Sequence, residues 1–268
     1  IEIKIDACGV NHYTWITEAE YNGTDMLGIL PEFIDRFYET GYCERDGVAP
    51  GDFRGDPFLY GNKVKMDLFQ RFGVLAAAGD RHLAEFMDRS GYIKNEECAE
   101  SWLFHLTSVD YRKKDMREKI ERSHRLADGS EKIEVKHSDE ECVELIKALA
   151  GVIPPRISNA NVINVGQMPD LPLGSVVETN CVFSQNSLKP ITAKRLPRDV
   201  NALVLRNALN IENTYYGIKE RSFDRIFEAF MNQPLCSGLS LEDGRALFRR
   251  MAKATGEYLK DYYPMEKL

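Results

Sequence analysis

The 268-residue sequence predicts an α+β fold, a mixed or antiparallel sheet with helices packed on it. Three observations predict it. Ile1, Ile3 and Ile5 alternate with charged residues at the period of a half-buried strand. NANVINVG (159–166) and GSVVETNCVF (174–183) read as two further apolar strands around the Pro-rich turn MPDLP. The chain then closes on segments with helical spacing and helix-start signals.

Taken in order, the first strand runs into GVNH at Gly9–His12, and polar groups just past a strand end are where α/β proteins usually place their chemistry. YNGTDMLG (21–28) reads as a turn, and PEFIDRFYETGY (31–42) as a helix started by Pro31 and stopped by Gly41. GVAPGDFRGDPFLYGN (47–62) has the punctuation of an ordered loop, of a length that is often functional. KVKMDLFQRFGVLA (63–76) is amphipathic, with Val64, Leu68, Phe69 and Phe72 on one face, and is expected to run to a break at Gly79 before DRHLAEFM resumes helically. From about 90 to 140 the chain turns charged, which predicts a surface insertion made of a solvated helix and a turn at Asp128–Gly129. SDEECVELIKALAG (138–151) is expected to be a helix with Ser138 at the N-cap, Glu141 as capping-box partner and Gly151 at the end. Three helices follow, RDVNALVLRNALNIENTYYGI, a second started by Ser222, and a third with Ser240 and Asp243 as a capping pair. No repeat, low-complexity segment or internal boundary appears, so residues 1–268 are expected to form one domain.

Composition narrows the function. With 43% apolar and 29% charged residues and a net charge of −7, the chain lacks the basic clusters that nucleic acid or anionic membranes require. Six cysteines without a C-x-x-C pair predict reduced thiols and a cytoplasmic location. No apolar run approaches the roughly 18 residues of a membrane span. The absence of an initial Met and an opening in mid-strand lead to the expectation that the chain is part of something longer. No G-x-G-x-x-G or Walker pattern marks a nucleotide site.

Five histidines are candidates. His124 and His137 fall in the charged insertion and are expected to be solvated, and His105, in WLFHL, to be a packed helix residue. His12 reads either as a structural residue or, beside Asn11 and the permissive Gly9, as a ligand. In GDRHLAEF, helical spacing places His82 and Glu85 on one face, where the carboxylate can orient the imidazole; the alternative is local, with Asp80 capping the helix, Arg81 exposed and His82–Glu85 a surface pair.

The order GVNH, then KMDLFQRFGVL leading into GDRHLAEF, then SVVETNCVFSQNSLKPITAKRLPRDVNAL resembles glycoside hydrolase family 4, in the portion downstream of its N-terminal nucleotide-binding domain and on its α-galactosidase and α-galacturonidase side. The resemblance implies the C-terminal domain of these lactate/malate dehydrogenase-like glycosidases, acting on a small-molecule glycoside, with NAD and a divalent metal, usually Mn2+, as cofactors and a homo-oligomeric assembly. It implies oxidation of the sugar at C3, removal of the C2 proton, elimination of the glycosidic oxygen, water addition and hydride return. By the same resemblance His12 matches the metal-ligand histidine and Asn11 lies in the same sugar and metal pocket. Asp80 and His82 match the segment that supplies the base, Glu85 a supporting or sugar-binding carboxylate, and Tyr60 a reserve base. Two things the family uses are not in this chain: a second metal ligand, a cysteine from an upstream segment, and the NAD-binding domain itself. Cys8 reads instead as a buried thiol. Arg81 and Arg54 point to a substrate carboxylate, hence to a galacturonide, unless they are simply solvated. Two rivals stay open: the catalytic domain of a 2-hydroxyacid dehydrogenase, which would need no metal, and a sugar-binding module, which would never exchange the C2 hydrogen.

Overall fold

The computed structural model describes residues 2–45, 47–48, 52–53, 56, 58–135 and 140–260. Strands β1 (Ile3–Val10) and β2 (Tyr13–Tyr21) form a hairpin around the two-residue turn Asn11–His12, with Val10 opposite Tyr13 and a register irregularity at Asp6/Ala7. A short β3 (Thr24–Asp25) returns along β2. Helix α1 (Leu30–Phe37) starts at Pro31, and α2 (Lys63–Phe72) buries Val64, Met66 and Leu68. The expected continuation of α2 to Gly79 is corrected: Gly73 adopts φ 68 and ends the helix, and Leu75–Ala76 then form β4 against Trp15 and Ile16. A glycine in the left-handed region is the usual helix stop, and the apolar residues after it gain more by joining a sheet edge than by extending into solvent.

Short helices α3 (Asp80–Glu85), α4 (Arg89–Tyr92) and α5 (Glu96–Ser101) follow, then the long α6 (Val109–Ala127), which has no buried residue. Within the charged stretch, however, Tyr92, Ala99 and Phe104 enter the core. His105 is not helical: Leu103 turns the chain at φ 58 and Phe104 bridges back to Tyr60. Helix α7 (Cys142–Leu149) starts with Glu141 at the cap position, and the expected Ser138 cap and His137 lie outside the described residues.

Strands β5 (Arg156–Ile163), β6 (Val176–Ser184) and β7 (Ser187–Pro190) complete a seven-stranded sheet ordered β3-β2-β1-β6-β5, with β4 added to β2 and β7 to β6. Every pairing is antiparallel, which settles the mixed-or-antiparallel alternative. The tail is helical: α8 (Arg198–Lys219), α9 (Phe223–Met231) and α10 (Leu241–Ala254), followed by a short α11 (Gly256–Leu259). Ser222 and Ser240 cap α9 and α10 by accepting the Arg225 and Asp243 N–H groups, as their sequence positions predict. Helix α8 lays Val200, Val204 and Ala208 into a core shared with Val10, Trp15, Leu68 and Val177, each valine or leucine side chain contributing about 1.5–3 kcal/mol when fully buried.

One strand expectation is inverted. Ile3 and Ile5 are 65% and 49% exposed, and the buried part of β1 is Ala7–Val10. The reason is topological, because β1 pairs with β6 only at Cys8 and Gly9. Its first half diverges from β6 and leaves a groove lined by Ile3, Ile5, Ile157, Asn159 and Asn180. Ile1 lies outside the described residues.

Candidate functional site

The β1–β2 turn carries the candidate metal ligand. Gly9, at φ 155, sits so close to the returning strand that a Cβ there would lie 2.4 Å from the Tyr13 carbonyl oxygen, so only glycine allows the hairpin to close this tightly. His12 adopts φ 62, which turns its imidazole out of the strand and into solvent. Its ring packs on that of His82, with centroids 4.6 Å apart and planes tilted by 45°. The two histidines that the sequence separates by seventy residues are thus neighbours. Asn11, also exposed, donates its Nδ2–H to the Glu178 carboxylate of β6 at 3.4 Å.

His82 and Glu85 pair as helical spacing predicts, Nδ1 to Oε2 at 3.6 Å, with 44% and 48% of the side chains exposed. The Glu85 carboxylate thus contacts the same imidazole that packs on His12. Tyr60 lies at the start of the same helix: a Cβ on Gly79 would fall 2.8 Å from its Cζ and 2.9 Å from its hydroxyl. The phenol borders a cavity of about 300 Å³ lined by Cys43, Glu44, Phe58 and Asn62. Burial pushes its pKa upward, and Glu44, Asp80 and Cys43 add to the shift, so the neutral phenol is the resting form.

Asp80 is placed behind these groups. It is wholly buried and does not cap its own helix; Oδ1 accepts the Lys65 N–H at 3.0 Å and Oδ2 the Val64 N–H at 3.2 Å, so it closes the N-terminus of α2. Asn62, at the cap position of α2, has φ 53 and gives its own side-chain amide to the Tyr42 carbonyl, which leaves that work to Asp80. Burial raises the Asp80 pKa to about 6, against the lowering effect of the backbone N–H groups. Arg81 rests its guanidinium over the Phe58 ring at 5.3 Å, a half-buried stacked position rather than a fully solvated one. Arg54 lies outside the described residues. Cys8 is fully buried, and burial pushes its thiol up to about 12, so it is no metal ligand in waiting.

His12 suits a divalent cation chemically: it is exposed, in ring contact with His82 and with no hydrogen-bond partner among the described residues. One imidazole and one amide are an incomplete donor set, in keeping with a further ligand from elsewhere in the protein. Sequence reading missed Glu178, whose signal was its place in the VVE run opposite the glycine of GVNH, and missed β2, whose signal was the β-branched and aromatic run YTWIT after a two-residue turn. It also missed the proximity of Glu96, Glu100 and His105, whose ligand atoms lie within 4.8 Å of one another at a different place in the fold.

The chain, an antiparallel α+β fold with a histidine pair at a hairpin tip, is matched over residues 7–236 by the family 4 glycosyl hydrolase C-terminal domain, and it belongs to that family. An α-galacturonidase of Thermoanaerobacterium saccharolyticum is 44% identical over 96% of this chain and 54% of its own length. An α-galacturonidase of Bacillus subtilis is 37% identical over 93% of this chain, and an α-galactosidase of the same organism 24% identical over 95%. The solved structure of Bacillus subtilis lplD superposes with a TM-score of 0.84 at 37% identity, covering 93% of this chain and 55% of that one. A 6-phospho-α-glucosidase from gut microorganisms, crystallised with NAD and Mn2+, shares the fold at 19% identity, with a TM-score of 0.65 over 98% of this chain and 56% of its own. The chain spans about half the length of the curated relatives it matches. No helix among the described residues is long and apolar enough to cross a membrane.

Proposed function

We propose that this chain is the substrate- and metal-binding half of an NAD- and Mn2+-dependent α-galacturonidase, whose other half supplies the nucleotide site and a further metal ligand. The observation that carries the reading is the His12–His82 contact at the hairpin tip, in a chain 37–44% identical to four α-galacturonidases and 24% identical to an α-galactosidase. The bound cofactors of two fold relatives, a 6-phospho-α-glucosidase and a 6-phospho-β-glucosidase, support NAD and manganese.

When bound, NAD supplies a hydride acceptor and manganese a Lewis acid that together make the sugar C2 hydrogen acidic. His12 holds the metal through a ring nitrogen, on a turn whose backbone is preset by Gly9 and φ 62. Proton removal at C2 falls to His82, steadied through Nδ1 by Glu85, because it is the candidate in ring contact with His12. Tyr60 is the second candidate, favoured by the cavity beside its phenol. Asp80 acts through position: it ties the start of α3, which carries His82, to the start of α2. Asn11 and Arg81 contact the sugar, Arg81 through the substrate carboxylate with the paired donors that a planar anion accepts.

The test is hydrolysis of 4-nitrophenyl α-galacturonide by the full-length enzyme, with deuterium incorporation at C2 followed in D2O. Activity that needs both NAD and Mn2+, exceeds that on the α-galactoside and exchanges the C2 hydrogen is expected. Turnover without metal, or hydrolysis without exchange at C2, would overturn the mechanism, and a preference for the galactoside would overturn the substrate.

A further inference from the structure

The pairing of β1 with β6 is confined to Cys8–Thr179 and Gly9–Glu178. Glu178 therefore stands directly across from a residue with no side chain, two positions before the hairpin tip. Asn11 follows Gly9 by two positions, in the turn just past the end of β1. The half-buried Glu178 carboxylate reaches the turn and accepts from Asn11 Nδ2 at 3.4 Å. No basic side chain among the described residues forms an ion pair with Glu178, and the amide of Asn11 is its hydrogen-bond partner.

A carboxylate can only accept, whereas a primary amide has one accepting and one donating end. The contact therefore dictates which end of Asn11 faces Glu178 and which faces away from it. We infer that Glu178 is a positioning residue that locks the Asn11 amide so that its carbonyl oxygen, not its NH2, is offered to the cation held by His12. A nitrogen from His12 and an oxygen from Asn11 then make a mixed donor pair suited to a hard divalent ion such as Mn2+. Without Glu178 the amide is at liberty to flip, and in half its orientations it meets the cation with hydrogens. This inference rests on the reading of His12 as a metal ligand.

Mn2+ binding to the full-length enzyme, read from the electron paramagnetic resonance signal of the free ion in the absence of substrate, tests it. Supporting shells around metal ligands typically matter by about 10–100-fold in affinity, so Glu178→Ala is expected to weaken Mn2+ binding by that factor. The double variant Asn11→Asp with Glu178→Ala presents an oxygen whichever way the side chain turns, and is expected to recover most of the loss. Wild-type affinity in Glu178→Ala, or a double variant as weak as the single one, overturns the lock. The parent reading fails separately: in that case His12→Ala binds Mn2+ as tightly as the wild type does.

Discussion

Replacing Asp80 by Ala separates an anchoring carboxylate from a reacting one. The substitution strips two enclosed backbone donors, Val64 N–H and Lys65 N–H, of their acceptor, at about 1–3 kcal/mol each. Opposing this is the cost of keeping the ion buried. Its pKa rises from 3.8 to about 6, and at about 1.4 kcal/mol per unit the charged form is disfavoured in the folded state by about 3 kcal/mol. Because the folded pKa lies above the unfolded one, the folded protein binds the proton more tightly. Asp80 then contributes most stability below about pH 4, and loses it as the pH rises through 6. At pH 7 the two effects largely offset; at pH 4 only the loss of the acceptor remains. The deficit of Asp80→Ala is accordingly about 2.4 kcal/mol larger at pH 4 than at pH 7, roughly a sixtyfold change in a local opening equilibrium. Hydrogen exchange in a peptide spanning residues 62–66 of the full-length enzyme, compared between wild type and variant at each pH, reads this directly. A protection ratio that does not change with pH would refute the buried-anion argument, and unaltered protection at both pH values would refute the anchoring role itself.

Three further outcomes are expected. His12→Ala in the full-length enzyme should abolish Mn2+ dependence with an unchanged thermal midpoint, since an exposed turn residue contributes to the site and little to the core; full metal-stimulated activity in that variant would remove His12 from the site. Gly79→Ala should leave the backbone intact, because φ −74 and ψ 160 suit alanine, yet drive its Cβ to 2.8 Å from the Tyr60 ring. If the phenol matters to catalysis, kcat should fall by about tenfold or more with KM little moved, and a displaced ring with unaltered kcat would dismiss it. Arg81→Lys should cost about 1.5–3 kcal/mol in kcat/KM for the galacturonide and little for the galactoside; equal losses on both sugars would mean that Arg81 does not read the substrate carboxylate.

Much of the secondary structure was legible because its signals are local. Pro31 at a helix start, serines at positions 222 and 240, and the apolar runs of β5 and β6 each act within a few residues of themselves. Where a residue's fate depended on a distant partner, the local signal misled or was silent. Ile3 and Ile5 alternate as core residues do, but β1 meets β6 only at Cys8 and Gly9, so they stay exposed. Asp80 sits where an acid caps its own helix, and the fold turns it to the helix sixteen positions earlier in the chain. The candidate site divides in the same way. The residue types of GVNH and GDRHLAEF, with the His82–Glu85 pair, were readable from the sequence because a strand end and a helix face are short-range geometry. That His12 meets His82, that Glu178 of β6 reaches Asn11, and that Asp80 is withdrawn from solvent were decided by tertiary structure alone, because sheet pairing and burial join groups whose separation along the chain carries no trace of their separation in space.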